Sequence, residues 1–319
     1  MNRVIITGPT GAIGMALTAY LSDRNIQVLA VVRGDSARKN RIRESNSVAI
    51  VECALGEMEE LPERVRKVIR QKHWNEMQPI DVFFHFAWDG TFGGGRDDMY
   101  LQNRNVKYAL EAVDAAAELQ CGLFIGAGSQ AEYGRYEGKL HANVPAFPEN
   151  GYGMAKLCAG QMTRIRCRQK GMRHIWTRIL SVYGPYDGSG TMVMSLIKKM
   201  LHGERASCTK GEQMWDYLYA KDAAKMMYLI GCYGVSGKVY CLGSGVAKPL
   251  KTYIETMRSV INPNAEIGFG DMEYASGQVM YLCADIQDLI DDTGYVSDYT
   301  FETGIRETVE WEEAQDEKD

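Results

Sequence analysis

The run Val4-Ile5-Ile6-Thr7 leads without a break into Gly8-Pro9-Thr10-Gly11-Ala12-Ile13-Gly14, and this join constrains the fold more than any other stretch of the chain. A short β-branched run followed by closely spaced glycines reads as a first strand turning into a helix. With no Cβ at Gly8, Gly11 and Gly14, backbone N–H groups and a helix N-terminus can meet a pyrophosphate at close range. The spacing is G-x-x-G-x-x-G in a strand-turn-helix context, which separates it from glycines that merely punctuate loops.

Further along, Lys156 follows Tyr152 by four residues, about one helical turn, so the hydroxyl and the ammonium project from one face. A free phenol ionises near pH 10 and needs a neighbouring cation to exchange protons near neutrality. Lys156 is the cation that this spacing places to supply it.

Short runs rich in Val, Ile and Phe recur with helical stretches between them, the pattern of a parallel sheet covered on both faces. Strands are expected near Val4 to Thr7, Gln27 to Val32, Val48 to Cys53, Val82 to Phe86, Gly122 to Gly126, His174 to Leu180 and Lys238 to Cys241. Helices are expected over Ala12 to Ser22, Asn105 to Glu118, Tyr152 to Gln169 and Met192 to Leu201. The fold class is therefore α/β, a Rossmann-type doubly wound parallel sheet with a smaller C-terminal substrate-binding lobe. Residues 1–182, completed by about 222–246, form the dinucleotide-binding part, and 183–221 with 247–319 form the lobe. The acidic run Glu310 to Asp319 reads as a frayed helix end.

A net charge of −5 and a pI near 5.7 give no basic field for nucleic acid. The cluster Arg38, Lys39, Arg41 and Arg43 reads as a local solvated face. The eight cysteines show no C-x-x-C pair and read as reduced core residues. No leader-like segment and no bilayer-length apolar run is visible, so a soluble cytoplasmic protein without membrane partners is expected. The five histidines lack metal-ligand spacing, and no metal is expected. His85, among Phe83, Phe84, Phe86 and Trp88, reads as packing near the cofactor.

The chain resembles the extended branch of the short-chain dehydrogenase/reductase family, which holds nucleotide-sugar epimerases, dehydratases and ketoreductases. The likeness rests on Thr7 to Gly14, His85 to Trp88, Asn105-Val106, Gly128 to Gly134, Tyr152 to Lys156, Arg178 through Val182-Tyr183-Gly184-Pro185, Gly211-Glu212-Gln213 with Asp216-Tyr217 and Asp222, and Gly304 to Glu307. In detail it is most similar to sugar-nucleotide 4-keto reductases and epimerases. The resemblance implies Tyr152 as general acid/base, Lys156 on the nicotinamide ribose, and Ser129 hydrogen-bonded to the substrate oxygen. It implies cofactor contacts from Gly8, Thr10, Gly11, Ala12, Ile13, Gly14, Leu55, Ala87 and Asn105, and substrate contacts from Trp88, Gln130, Ser181 and Trp215.

Departures from the family pattern shape the expectation. Gln130-Ala131 stand where dehydratases carry Asp-Glu, which removes the acid and base of an elimination. Arg33 and Arg38 follow the second strand where a cation would hold a 2′-phosphate, favouring NADP(H), although Asp35 keeps NAD(H) open. Ala54 replaces an adenine-binding Asp, leaving that contact to the backbone of Leu55. Trp215 replaces the arginine that commonly clamps a diphosphate, and Ser181 an asparagine; Trp215 either stacks on a base or sugar or belongs to the core.

The leading expectation is an NADP(H)-dependent reductase of a 4-keto sugar nucleotide. A 4-epimerase with tightly bound NAD is the alternative, and a non-catalytic NADP-binding regulator or scaffold the reading of another class. Small residues at Ala109, Ala112, Ala116, Ala155 and Ala159 suit close helix packing, and in this family the corresponding helices form a homodimer interface.

Overall fold

The computed structural model describes residues 1–316. Its centre is a seven-stranded, all-parallel sheet in the order β11-β6-β5-β4-β1-β2-β3. The strands are β1 (Arg3–Thr7), β2 (Gln27–Val32), β3 (Val48–Glu52), β4 (Val82–His85), β5 (Leu123–Ser129), β6 (Arg173–Ile179) and β11 (Val239–Leu242). The chain winds outward from β1 in one direction through β2 and β3, then returns to β4 on the other side. The crevice at the C-terminal ends of β1 and β4 is therefore the point where strand order reverses, the place where open α/β sheets bind ligands.

The period of two decides which helices cover which face. Val4 and Ile6 pack with Leu17 and Leu21 of α1 (Ala12–Ser22) and with Met226, Met227 and Ile230 of α6 (Ala220–Tyr233). Ile5 points the other way, onto Val65 and Ile69 of α2 (Leu61–Gln71) and Ala112, Val113 and Ala116 of α3 (Met99–Glu118). All three β1 side chains are completely buried, as expected for a strand covered on both faces.

The rest of the chain carries three two-stranded ladders. These pair β10 (Tyr217–Tyr219) with β7 (Ser181–Tyr183), β12 (Lys248–Pro249) with β9 (Met214–Trp215), and β13 (Ile267–Phe269) with β8 (Ala206–Cys208). Helices α5 (Met192–Leu201), α7 (Leu250–Ile261) and α9 (Phe301–Asp316) enclose a separate apolar cluster that includes Met194, Met200, Met257 and Ile305. The short α8 (Gln287–Thr293) packs Leu289 against the main sheet's core. Among the described residues no helix is long and apolar enough to cross a membrane.

Several boundaries differ from the sequence reading. Helix α3 starts six residues ahead of Asn105 because the Asp98 carboxylate caps it, accepting from Leu101 N at 3.0 Å. Strand β5 runs past Gly126 to Ser129. The indole of Trp176 on β6 fills the space above Gly126 and Gly128, so glycines that look like a turn are strand residues with a ring in place of side chains. The acidic run is helical to Asp316, with Glu312 buried and bonded to Lys198 at 2.9 Å; residues 317–319, where fraying was expected, lie outside the described residues. Six cysteines are buried, but Cys158 is exposed on α4 (Gly151–Gln169) and Cys232 is half-buried. His85 packs between Phe83 and Phe124; Phe84 and Phe86 belong to the opposite face of the sheet.

Because the Trp176 ring occupies the volume a side chain at 126 would need, Gly126→Ala should destabilise the protein by about 1–3 kcal/mol through overpacking. Urea denaturation would read this as a lower midpoint at unchanged slope. Adding Trp176→Phe should recover part of the loss, a non-additivity that a purely local backbone effect would not give.

Candidate active site

Two glycines close the first turn. Gly8 has φ +68°, and a Cβ there would lie 2.7 Å from Ala87 N on the strand end opposite. A Cβ on Gly14 would lie 2.5 Å from Gly8 O. Gly11 is different: a Cβ there would meet nothing within 4 Å. Gly11 is also the N-cap of α1, with no side-chain cap and no acid in the first turn. The first N–H groups of α1 are thus left to a ligand, and the open side of Gly11 is where one can approach. Thr10, Ala12 and Ile13 complete this half-buried rim. Thr7 Oγ1 accepts from Phe86 N and Ala87 N at 3.2 Å and lies 3.0 Å from His85 Nδ1, which ties the ends of β1 and β4 together under the turn. Burial holds the His85 imidazole down at about 3, so it is neutral. These features suit the pyrophosphate of a dinucleotide.

Beyond β2, Arg33 is exposed and sits 3.9 Å from the Asp35 carboxylate. Arg38 is exposed, and its N–H donates to Ser36 Oγ at 3.3 Å. Arg41 corrects the expectation of a solvated face. Its Nη1 donates to Thr10 O at 2.9 Å and its guanidinium lies 5.3 Å from the Tyr186 ring centre, so it braces the glycine turn. Lys39 pairs with Glu52 at the end of β3. Leu55 opens a short 3₁₀ turn, Leu55–Glu60, with its side chain buried, and Cys53 N donates to Val32 O, which keeps this segment beside the end of β2.

The candidate acid/base groups come from α4 and β5. Asn150 caps α4 by accepting from Gly153 N at 2.8 Å, and Asp97 accepts from Gly151 N at 3.0 Å, so the turn carrying Tyr152 is fixed from both sides. Tyr152 and Lys156 are buried. Lys156 Nζ donates to Ala127 O at 2.6 Å and lies 3.8 Å from the centre of the Trp88 ring. Trp88 meets Tyr152 edge-on at 6.3 Å and is held by its Nε1 donating to Gln102 Oε1 at 2.8 Å. Burial lowers the Lys156 ammonium to about 7, against the attraction of Glu132. Burial likewise raises the Tyr152 phenol, opposed by the Ser129 side chain and then by the charge of Arg96.

Beneath them lies a carboxylate that sequence reasoning assigned no role. Glu132 Oε1 accepts from Ser129 N at 2.9 Å and from Trp176 Nε1 at 3.0 Å, and Oε2 accepts from Arg178 Nε at 2.8 Å. Glu132 and Arg178 are both almost fully buried, and the Arg178 guanidinium also lies 4.3 Å from the Tyr133 ring centre. Ser129 Oγ accepts from Ala131 N at 3.2 Å. With Gln130 and Ala131 beside it and both Glu132 oxygens engaged, this turn presents no free carboxylate to a substrate. The signal was an acid and an arginine inside otherwise small or apolar runs.

The remaining expected residues separate into two groups. Asn105 is buried and its amide clamps the loop after Trp88, accepting from Asp89 N at 3.0 Å and donating to Asp89 O at 2.8 Å. Ser181 and Trp215 are brought together, the indole N–H donating to Ser181 Oγ at 2.8 Å, with both side chains half-buried. Asp216 beside them is fully buried and accepts from Ser244 N, Gly245 N and Ala284 N.

Glu132→Ala would leave the Arg178 charge and the Trp176 and Ser129 N–H groups without their acceptor. It should cost about 3–5 kcal/mol in urea denaturation, whereas Glu132→Gln, which keeps an acceptor oxygen, should cost less.

Comparison with known proteins bears on the family and the fold. The dTDP-glucose 4,6-dehydratase of Escherichia coli is 26% identical over 175 residues, an alignment covering 51% of this chain and 48% of that protein. The chain thus spans about half the length of the curated relatives it matches. Among solved structures, a UDP-N-acetylglucosamine 4-epimerase from Methanobrevibacter ruminantium superposes with a TM-score of 0.85 at 21% identity, covering 98% of this chain and 99% of that one. RMD from Pseudomonas aeruginosa, complexed with NADPH, gives a TM-score of 0.76 at 18% identity over 98% and 100% of the two chains. The profile described as the NAD dependent epimerase/dehydratase family matches residues 4–243, and with three quarters of its length inside that match the chain belongs to this family.

Proposed function

We propose that this protein is an NADP(H)-dependent reductase of a 4-keto sugar nucleotide. The observation that carries the reading is the buried Tyr152 and Lys156 with the half-buried Ser129 at the strand-order reversal, beside a turn with no free carboxylate. Bound against the glycine turn, a nicotinamide dinucleotide would supply the hydride. As the C4 carbon accepts it, Tyr152 gives its phenolic proton to the carbonyl oxygen, and the Ser129 hydroxyl holds that oxygen with a hydrogen bond. Lys156, in the role the family resemblance implies, orients the nicotinamide ribose and favours the phenolate left behind. A dehydratase would need an acid and a base at 130 and 131, which Gln130 and Ala131 do not supply.

Three arginines at the end of β2 support NADP(H) over NAD(H). Arg33 and Arg38 are exposed and Arg41 is anchored on the glycine turn, a cationic setting for a 2′-phosphate. RMD, a structural neighbour, is bound to NADPH. A second reading, a 4-epimerase that oxidises C4 and returns the hydride to the other face, draws on the fold likeness to a 4-epimerase and on Asp35 beside Arg33. In either reading Trp88, Gln130, Ser181 and Trp215 line the sugar nucleotide. The dinucleotide region is 1–182 completed by about 222–246, and 183–221 with 247–319 is the substrate lobe, supported by the separate cluster of α5, α7 and α9.

We further propose a cytoplasmic homodimer through α3 and α4, because Met154, Cys158, Met162 and Ile165 form an exposed apolar stripe on α4. Light scattering after gel filtration should give twice the chain mass; a monomer would overturn this.

Three measurements test the enzyme. Tyr152→Phe should lower turnover at least ~100-fold while NADPH affinity by calorimetry is retained. Arg33→Ala with Arg38→Ala should weaken NADPH on the order of tenfold and leave NADH nearly unchanged. With keto-sugar nucleotides, steady loss of nicotinamide absorbance is expected; turnover without net loss would replace the reductase with the epimerase.

A further inference from the structure

Tyr152 has two cations against its ring, and only one of them is the lysine of its own helix. The Arg96 guanidinium carbon lies 4.5 Å from the centre of the Tyr152 ring, closer than Lys156 Nζ at 5.7 Å. The Lys156 ammonium is already committed to Ala127 O and to the face of Trp88, and burial makes its charge easy to lose near neutrality. A guanidinium stays protonated throughout the working range of any enzyme. Arg96 therefore brings a second positive charge to this phenol, from outside its own helix.

The arginine is also held in place. It lies in the turn Gly93–Asp97, and its Nη1 donates to Thr91 O at 3.2 Å. Gln102 Nε2 donates to Gly95 O at 2.7 Å and Gly90 O at 2.9 Å, which pins the turn to α3. Asp97 accepts from Gly151 N, binding the turn to the residue before Tyr152. Among the described residues no carboxylate lies within 4 Å of the Arg96 guanidinium: Asp97 is used on α4 and Asp98 caps α3. The other groups facing Tyr152 are Ser129 and Glu132 from the end of β5, and the carboxylate is tied to Arg178.

We propose that Arg96 is a positioning residue whose fixed positive charge on the ring face favours the Tyr152 phenolate and so sets the proton affinity of the acid/base. The inference rests on the assignment of Tyr152 in the proposed function. Removing the charge favours the neutral phenol, so its ionisation moves to higher pH. In the oxidative direction, where the phenolate is the base, the acidic limb of the rate profile moves up with it. In the reductive direction the phenol becomes a weaker proton donor and the rate at neutral pH falls.

The test compares Arg96→Gln and Arg96→Lys, each with and without Tyr152→Phe, in the full-length protein. Subtracting the ultraviolet pH titration of each Tyr152→Phe partner isolates the tyrosinate signal of this phenol and needs no substrate. The midpoint should rise by about one pH unit in Arg96→Gln and stay close to the parent in Arg96→Lys, with NADPH affinity unchanged in both. Equal midpoints in the parent and Arg96→Gln would overturn the proposal. So would a shift in Arg96→Lys as large as that in Arg96→Gln, since a merely structural role would not distinguish a lysine that keeps the charge. A midpoint that moves as expected while no keto-sugar nucleotide is turned over upholds the coupling and removes the reductase assignment instead.

Discussion

The Glu132 carboxylate, sealed between two strands and a helix, is the interaction on which the site depends. It receives Arg178 and Trp176 from β6 and the N–H of Ser129 from β5, so one buried anion fixes the end of one strand against its neighbour. A buried pair of this kind gains little net stability over an apolar replacement, because desolvation offsets most of the attraction. Its contribution is geometric. Ser129 can face Tyr152 only if the turn after β5 leaves the sheet at one angle, and three hydrogen bonds to one carboxylate admit few others. The same indole that donates to Glu132 fills the space above Gly126 and Gly128, so packing and hydrogen bonding specify the same arrangement.

Around this anchor the charges are arranged in layers. Lys156 is buried where its ammonium is disfavoured, Tyr152 where its phenolate is disfavoured, and each is moderated by a neighbour of the other's sign. Two groups pushed toward neutrality in opposite senses form a site whose protonation state responds strongly to any added charge. A cationic ring entering the crevice would then favour the phenolate, whereas a reduced, uncharged ring would not. Proton affinity at Tyr152 would in this way follow the redox state of the bound coenzyme.

The elements governed by local patterning were legible in the sequence. Helix α1, strand β2 and helix α5 have the ends that periodicity and flanking turn residues suggest, and the glycine turn joins the first strand to the first helix as its spacing implies. What was illegible depends on contacts between segments far apart in the chain. Arg41 looked like one of several surface cations until the fold brought Thr10 O beneath it. Arg96 follows three glycines in a stretch with no periodicity, and nothing nearby in sequence connects it with Tyr152. Strand β5 was expected to end at Gly126, and the position of Trp176 over Gly126 and Gly128 explains why it runs on to Ser129. The bonds of the Asn105 amide to Asp89, sixteen residues back, were likewise not suggested by any local pattern.

Ser181 and Trp215 looked, along the chain, like two separate losses from the family pattern. In space they are one substitution, an indole N–H and a hydroxyl satisfying each other across the join between β7 and β9. Removing either partner alone, by Ser181→Ala or Trp215→Phe, would leave the other's polar group without its bond in a half-buried setting, at a cost of roughly 1–3 kcal/mol. The two positions are thus coupled, and the corner between β7 and β9 behaves as a two-letter word.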